Sequence, residues 1–374
     1  MSSSRPLEVR PVAGRRDLGR FIRFPWRIYA GNPCWVPPLI REQTRFLAPA
    51  GNPFFRHSRA ELFLARRGGE VVGRIAAIEN RRHLETYDDG TGFFGFFESV
   101  DDGEVAGALL EAAAAWARER GLRRLRGPAS FTINDECGVL LDAFDLPPVV
   151  LMPYNPPYYA RRIEEQGFRK AQDLYAYRME APSEMPERLR AARALAEARG
   201  AVIRKVDLSR FDEELARIHA IHSAAWSENW GAVPLTWEEL RDLGQRLLPV
   251  VDPDLVFLAE LGGEPIGVMI SIPDVNQALG HLNGRLLPTG LVKLLWYRRR
   301  IDALRVLIMG ILAEHRRSGV DAALYAATVE AAISKGYRWG ELSWILESND
   351  SMRRVLERLG TERYKTYRIY ENEL

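Results

Sequence analysis

Near residue 63 the chain alternates between short apolar runs and a polar break. Phe63-Leu64-Ala65-Arg66-Arg67 is followed by Gly68-Gly69, then Glu70-Val71-Val72-Gly73 and an apolar stretch through Ile78. The pattern returns as Phe257-Leu258-Ala259-Glu260-Leu261, Gly262-Gly263, then Glu264-Pro265-Ile266-Gly267 and on through Ile272. A Gly-Gly pair adopts positive φ at little cost, so each run predicts a β-hairpin. Both stretches then continue alike. A short apolar strand (Phe93 to Phe97; Val306 to Leu312) leads through a polar loop into an Ala/Leu-rich helix, roughly Val105 to Arg120 and Val320 to Lys335. Gly121 and Gly336 stand where a left-handed cap would end each helix. A strand follows (Leu122 to Arg126; Trp339 to Leu346), and a last helix and strand close near Tyr177 and Tyr370.

The predicted order is strand, helix, hairpin, strand, helix, strand, helix, strand, twice over. Repetition of this kind predicts a duplicated α/β (α+β) unit, each copy a mixed twisted sheet flanked by helices. The expected division is residues 1–179, a helical connector 180–200, and residues 201–374.

Composition narrows the picture. Of 374 residues, 47% are hydrophobic and 27% charged, enough for two real cores. The 52 basic and 50 acidic side chains leave a net charge of +2, so no nucleic-acid partner is expected and any basic site must be local. Two distant cysteines, Cys34 and Cys137, predict neither a disulfide framework nor a metal site. No apolar run reaches the roughly 18 residues of a membrane span, and no signal peptide is legible, so a cytoplasmic protein is expected.

The two loops before the long helices differ. The second reads Glu314-His315-Arg316-Arg317-Ser318-Gly319-Val320-Asp321. Arginines, a small residue and a glycine at a helix start make an anion site, because free N–H groups and the helix dipole point at the ligand. The first reads Glu98-Ser99-Val100-Asp101-Asp102-Gly103-Glu104, whose four carboxylates predict mutual repulsion and no phosphate binding.

The element order together with Arg316-x-x-Gly319 resembles the GNAT acyltransferase superfamily, whose Q/R-x-x-G-x-G/A motif binds the pyrophosphate of acyl-CoA. Asp321 departs from that motif. The resemblance covers nearly the whole chain as a tandem pair and implies acyl-CoA as co-substrate. It places Arg316, Arg317, Ser318, Gly319 and Val320 at the pyrophosphate, the backbones of Ile311 and Leu312 along the pantetheine arm, and Asn349 beside the cofactor. It implies direct attack of an amine on the thioester. The family's tyrosine acid would fall at Leu356. Three stretches, Ile22 to Ile40 (IRFPWRIYAGNPCWVPPLI), Ile133 to Gly138 (INDECG) and Tyr154 to Tyr159 (YNPPYY), are similar to bacterial ceramide synthase-type N-acyltransferases. That implies a sphingoid long-chain base as acceptor. A short-chain acetyltransferase of a small amine, and a non-catalytic CoA- or lipid-binding protein, stay open.

Candidate proton acceptors and donors are His281 in a glycine-flanked loop, Glu347 at a strand end and Tyr364 in the last strand. His219 and His222 are expected as wall or core. Candidate acceptor contacts are Asn134, Asp135, Glu136 and Tyr158 in ordered loops of the first copy, with Asn283 and Trp296 in the second. Gly284 to Arg300 (GRLLPTGLVKLLWYRRR) and the aromatic, arginine-rich stretch from Arg20 to Trp35 are amphipathic. Each fits a helix packed on the sheet, a segment roofing a long-chain tunnel, or peripheral contact at the inner membrane.

Overall fold

Both glycine pairs turn a hairpin: Gly68 and Gly69 have φ of +62° and +88°, and Gly262 and Gly263 have +60° and +89°. The computed structural model describes residues 6–374 apart from 227, 228 and 317. Its first half contains β1 (Leu7–Pro11), β2 (Arg59–Arg67), β3 (Glu70–Glu79), β4 (Thr91–Ser99) and β5 (Arg124–Gly127), hydrogen-bonded in that order. The first four run antiparallel to their neighbours, and β4 and β5 are parallel. The crossover between them is the helix Gly103–Arg118, which packs Val105, Leu109 and Ala113 into a core with Phe63, Ile75 and Phe94. Then come β6 (Val139–Leu140), the helix Tyr159–Glu164 and β7 (Arg169–Glu180).

The second half repeats the plan. After the helix Glu187–Ala198 come β8 (Ala201–Lys205), the helices Phe211–Trp226 and Trp237–Leu247, β9 (Val256–Leu261), β10 (Glu264–Pro273) and β11 (Ala303–Ile311). The helix Val320–Lys335, β12 (Trp339–Leu346), the helix Asp350–Arg358 and β13 (Glu362–Glu373) complete it. Strands β8 to β12 neighbour one another in sequence order, and β11 and β12 are the parallel pair. The fold expected from the sequence is the one observed.

The compact units are not two linear halves. One consists of Met1–Tyr175, Leu279–Leu295 and Lys365–Leu374; the other of Ala176–Ala278 and Trp296–Tyr364. A break at 179 followed by a third segment 201–374 therefore misses two exchanges. The end of β13 pairs antiparallel with β5, Tyr370 opposite Gly127 and Glu373 opposite Arg124. Arg368 grips Asp173 through two hydrogen bonds of 2.8 and 3.0 Å, and Lys365 donates to the Pro147 carbonyl at 2.7 Å. The connector helix Glu187–Ala198 is part of the second unit, where Arg193 pairs with Glu330 of the long helix at 2.6 Å.

Candidate functional site

In the second unit the parallel strands part. β11 and β12 stay in register only from Ala303–Trp339 to Val306–Leu342. Immediately beyond, the pairing of β11 with β10 skips Leu307, a β-bulge between Val306 and Ile308. A bulge bends its strand and increases local twist, so β11 turns away as the ladder to β12 ends. Past it, the Leu312 N–H donates to the Ile266 carbonyl of β10 at 3.0 Å. Because hydrogen-bonding direction alternates along an antiparallel strand, the backbone of Ile311 faces the opened side instead. Of the two backbones expected along a pantetheine arm, the N–H of Leu312 is thus already used, while that of Ile311 points away from β10.

The helix beyond this opening starts without a side-chain cap. Gly319, at φ +91°, is its N-cap residue and carries no capping side chain; in the first turn the Val320 N–H donates to Ser318 Oγ in a long bond of 3.4 Å. Ser318 Oγ donates to the His315 carbonyl at 2.7 Å, which closes the loop on itself. Arg316 is exposed and donates to the Ala225 carbonyl at 3.3 Å. Arg199, which the sequence did not single out, reaches the Ser318 carbonyl at 3.1 Å and adds a second cation to the rim. Arg317 lies outside the described residues. Asp321 sits in the helix's first turn, where it interacts favourably with the helix dipole.

The first unit has the same geometry and has lost its opening. β4 and β5 stay in register only from Thr91–Arg124 to Phe93–Arg126, and a bulge follows near Phe96, whose φ is +51°. The gap is filled by Pro128 to Phe131. The Ala129 N–H donates to the Phe94 carbonyl at 2.8 Å, and Phe131 is buried among Phe46, Phe54, Phe55 and Phe96. Gly95 permits this approach, since a Cβ there would stand 2.1 Å from the Ala129 oxygen. The helix N-terminus is closed as well: the Asp102 carboxylate accepts from the Glu104 and Val105 N–H groups at 2.9 and 3.4 Å. Repulsion among four carboxylates is not the mechanism. Arg67 pairs with Asp102 and Glu104, each at 2.6 Å, and Arg162 pairs with Asp101 at 2.7 Å. Glu98 is buried away from the loop, accepting from Tyr159 at 2.6 Å and Tyr29 at 3.0 Å, and burial holds its carboxyl above the usual range.

The remaining candidates scatter. His281 is exposed in a turn of the first unit, and its carbonyl accepts from Lys293 at 3.4 Å. Asn283 accepts from Trp26 Nε1 at 2.6 Å, a structural bond. Trp296 is exposed on the helix Gly290–Tyr297, with the Arg300 guanidinium 5.3 Å from its ring centroid. Asn134 and Glu136 are exposed, Asp135 accepts from Thr132 at 2.8 Å, and Tyr158 donates to the Ser99 carbonyl at 2.7 Å. In the second unit, Glu347 lies in the turn after β12, where its carbonyl accepts from Arg353 at 2.9 Å. Asn349 Oδ1 caps the next helix by accepting from the Met352 N–H at 3.1 Å. Leu356, where a tyrosine was expected, is fully buried. A 320 Å³ recess on the far side of the long helix is not the site: Lys205 and Lys335 pair with Asp254 there, and Arg193 with Glu330.

No family profile matches the chain. Two relatives match it almost end to end. The bacterial ceramide synthase of Caulobacter vibrioides is 41% identical over 382 aligned positions, covering 100% of this chain and 99% of the relative. Protein YghO of Escherichia coli is 36% identical over 374 positions, covering 98% and 95%. The tandem GNAT protein from the clavulanic acid biosynthesis pathway has a TM-score of 0.60 at 15% identity, with 98% of each chain covered. A GCN5-related N-acetyltransferase from Sphaerobacter thermophilus has 0.52 at 15% identity, over 98% of this chain and 95% of its own. The chain belongs to the same family as the bacterial ceramide synthase and protein YghO, and it has the tandem GNAT fold.

In this tandem GNAT chain the open strand pair carries a buried polar network that sequence reasoning missed. Arg305 and Glu341 stand opposite each other on β11 and β12, both buried. Arg305 donates to Ser343 Oγ at 3.0 Å, and Ser343 Oγ in turn donates to Glu341. The Tyr364 hydroxyl also donates to Glu341. An ionised side chain within an apolar strand must be hydrogen-bonded to be tolerated, so Arg305 within Ala303–Ile311 and Glu341 within Trp339–Leu346 were the available signal. The helix Phe211–Trp226 adds one more feature. The Trp226 ring lies so close to β11 that a Cβ on Gly310 would be 2.2 Å from it, and His222 stacks on Trp226 at 4.7 Å.

Proposed function

We propose that the second unit binds an acyl-CoA at the helix start Ser318–Val320 and transfers its acyl group to an amine, with a sphingoid long-chain base as acceptor and a ceramide-type amide as product. The observation that carries this is the contrast between two equivalent helix N-termini. One has its N–H groups taken by the Asp102 carboxylate and its strand gap filled; the other has a glycine cap, one long bond from the Val320 N–H to Ser318 Oγ in place of a capping carboxylate, and an open strand pair. Free N–H groups at a helix start suit a pyrophosphate, and Arg316 and Arg199 supply cations. The Ile311 backbone, whose hydrogen-bonding groups face away from β10, suits an amide-bearing arm lying alongside the strand.

The amine nitrogen attacks the thioester carbonyl carbon, the C–S bond breaks, and the thiolate leaves with a proton while the amine loses one. Tyr364, hydrogen-bonded to Glu341, is the candidate to protonate the thiolate. Glu347 is the candidate to accept the amine proton. The long-chain acceptor is supported by the full-length similarity to a relative named a ceramide synthase. The test is a donor series from acetyl- to palmitoyl-CoA with a sphingoid base and with a small amine, products identified by mass spectrometry. Long-chain amides of the sphingoid base are expected; acetylation of the small amine alone would replace this reading with a short-chain one.

A further inference from the structure

Most amphipathic helices of a globular protein turn their apolar face inward. The helix Gly290–Tyr297 instead leaves most of its apolar side chains in water. Leu291, Val292, Leu295 and Trp296 are 48, 70, 49 and 58% exposed, while Leu294 and Tyr297 are half-buried. At about 100° per residue the four exposed side chains share one arc of about 140°. Leu287, 74% exposed, stands just before them. These five are nearly half of the eleven large apolar side chains that stand exposed among the described residues, and they fall within ten positions.

The segment is held in place. Gly290 is buried with no room for a Cβ, which would stand 2.0 Å from the Arg285 oxygen. Leu282 is buried, the Ile40 N–H donates to the Gly284 carbonyl at 3.0 Å, and Trp26 donates to Asn283 at 2.6 Å. The apolar arc is thus presented on a fixed base. The other amphipathic stretch behaves oppositely: Phe21 and Phe24 are 0 and 4% exposed, and Trp35 stacks on Tyr29 at 4.8 Å. That one is core.

Charge selects the occupant. From His281 to Ile301 the chain has five basic side chains, Arg285, Lys293, Arg298, Arg299 and Arg300, and no acidic one. All five are exposed. An apolar arc with a tryptophan, bordered by cations, matches the boundary between acyl chains and anionic headgroups. We infer that the helix Gly290–Tyr297 and the arginines after it dock this protein on the surface of an anionic lipid bilayer, with Leu287, Leu291, Val292, Leu295 and Trp296 inserted. No helix among the described residues is long and apolar enough to cross a membrane, and this contact does not cross one. It stands apart from the acyl-transfer reading, because its test uses no substrate.

The test is vesicle flotation with the full chain, comparing phosphatidylcholine vesicles with vesicles containing phosphatidylglycerol. Binding to the anionic vesicles should be at least about tenfold stronger and should weaken in high salt. Val292→Glu/Leu295→Glu should reduce it about tenfold or more with the far-ultraviolet circular dichroism unchanged, since both side chains face water. Arg298→Glu/Arg299→Glu/Arg300→Glu should abolish the preference for anionic vesicles. Absence of wild-type binding, or binding that survives both variants, overturns the inference. A wild-type dimer in sedimentation that becomes monomeric in the first variant, without vesicle binding, assigns the face to a second copy and overturns it too.

Discussion

His222 offers a quantitative check on the packing around the open strand pair. It is 7% exposed, stacked on Trp226, and its buried Nδ1 has no hydrogen-bond partner. Burial, helped by the neighbouring His219, holds it neutral down to about pH 4, against about 6.5 for a free imidazole. The sign follows from linkage. The unfolded chain binds a proton there near pH 6.5 and the folded chain does not until about pH 4, so the contribution is intact above pH 6.5 and is lost as pH falls between those values. At about 1.4 kcal/mol per tenfold change in proton affinity, the full effect is on the order of 3 kcal/mol. His222→Phe keeps a ring against Trp226 and removes the proton site. Histidine NMR, with the His222 resonance assigned by its loss in this variant, should show a neutral imidazole well below pH 6. Denaturant unfolding of the second unit should show the stability gap between variant and wild type widening by about 2–3 kcal/mol on acidification from pH 7 to 4.5. A His222 resonance titrating near 6.5, or a gap that does not change with pH, would refute the buried placement.

Asp102→Ala should destabilise the first unit by about 1 kcal/mol, through loss of the cap on Gly103–Arg118, and calorimetry would measure it. The variant should gain no CoA affinity, because Pro128 to Phe131 still fills the gap. Gly310→Ala sets a methyl against the Trp226 ring and should cost about 1–3 kcal/mol, visible as a lowered melting temperature of the second unit. Tyr364→Phe should lower kcat about 100-fold with acyl-CoA affinity unchanged; an unchanged kcat with a lower melting temperature would make the Tyr364–Glu341 bond purely structural.

The helix Val320–Lys335 could be read from the sequence because its boundaries are local: Ser318-Gly319 before it and Gly336, at φ +77°, after it. The hairpins were legible for the same reason. The assignment of Leu279–Leu295 and Lys365–Leu374 to the first unit was not, since it depends on pairings such as Tyr370 with Gly127 across more than two hundred residues. The loop contrast was visible, but its cause was misread. Asp102-Gly103-Glu104 before an apolar helix is an N-cap pattern as much as a cluster of charge, and the structure uses it as a cap. The filled gap at Phe131 had no sequence signal, because a phenylalanine after Pro128 looks like any loop aromatic. Arg305 and Glu341 had a signal that periodicity reading passes over: one charge in each of two strands that are otherwise mostly apolar.

The central claim is that one of two equivalent helix starts keeps an acyl-carrier site. Calorimetric titration of palmitoyl-CoA, below its micelle concentration, into wild type and Arg316→Ala/Arg317→Ala tests it most directly. The account predicts one site per chain, with affinity lowered about 10- to 100-fold in the double variant, the scale of losing charge-assisted bonds at a partly exposed site. Two sites per chain, no binding by wild type, or undiminished binding by the variant would contradict it.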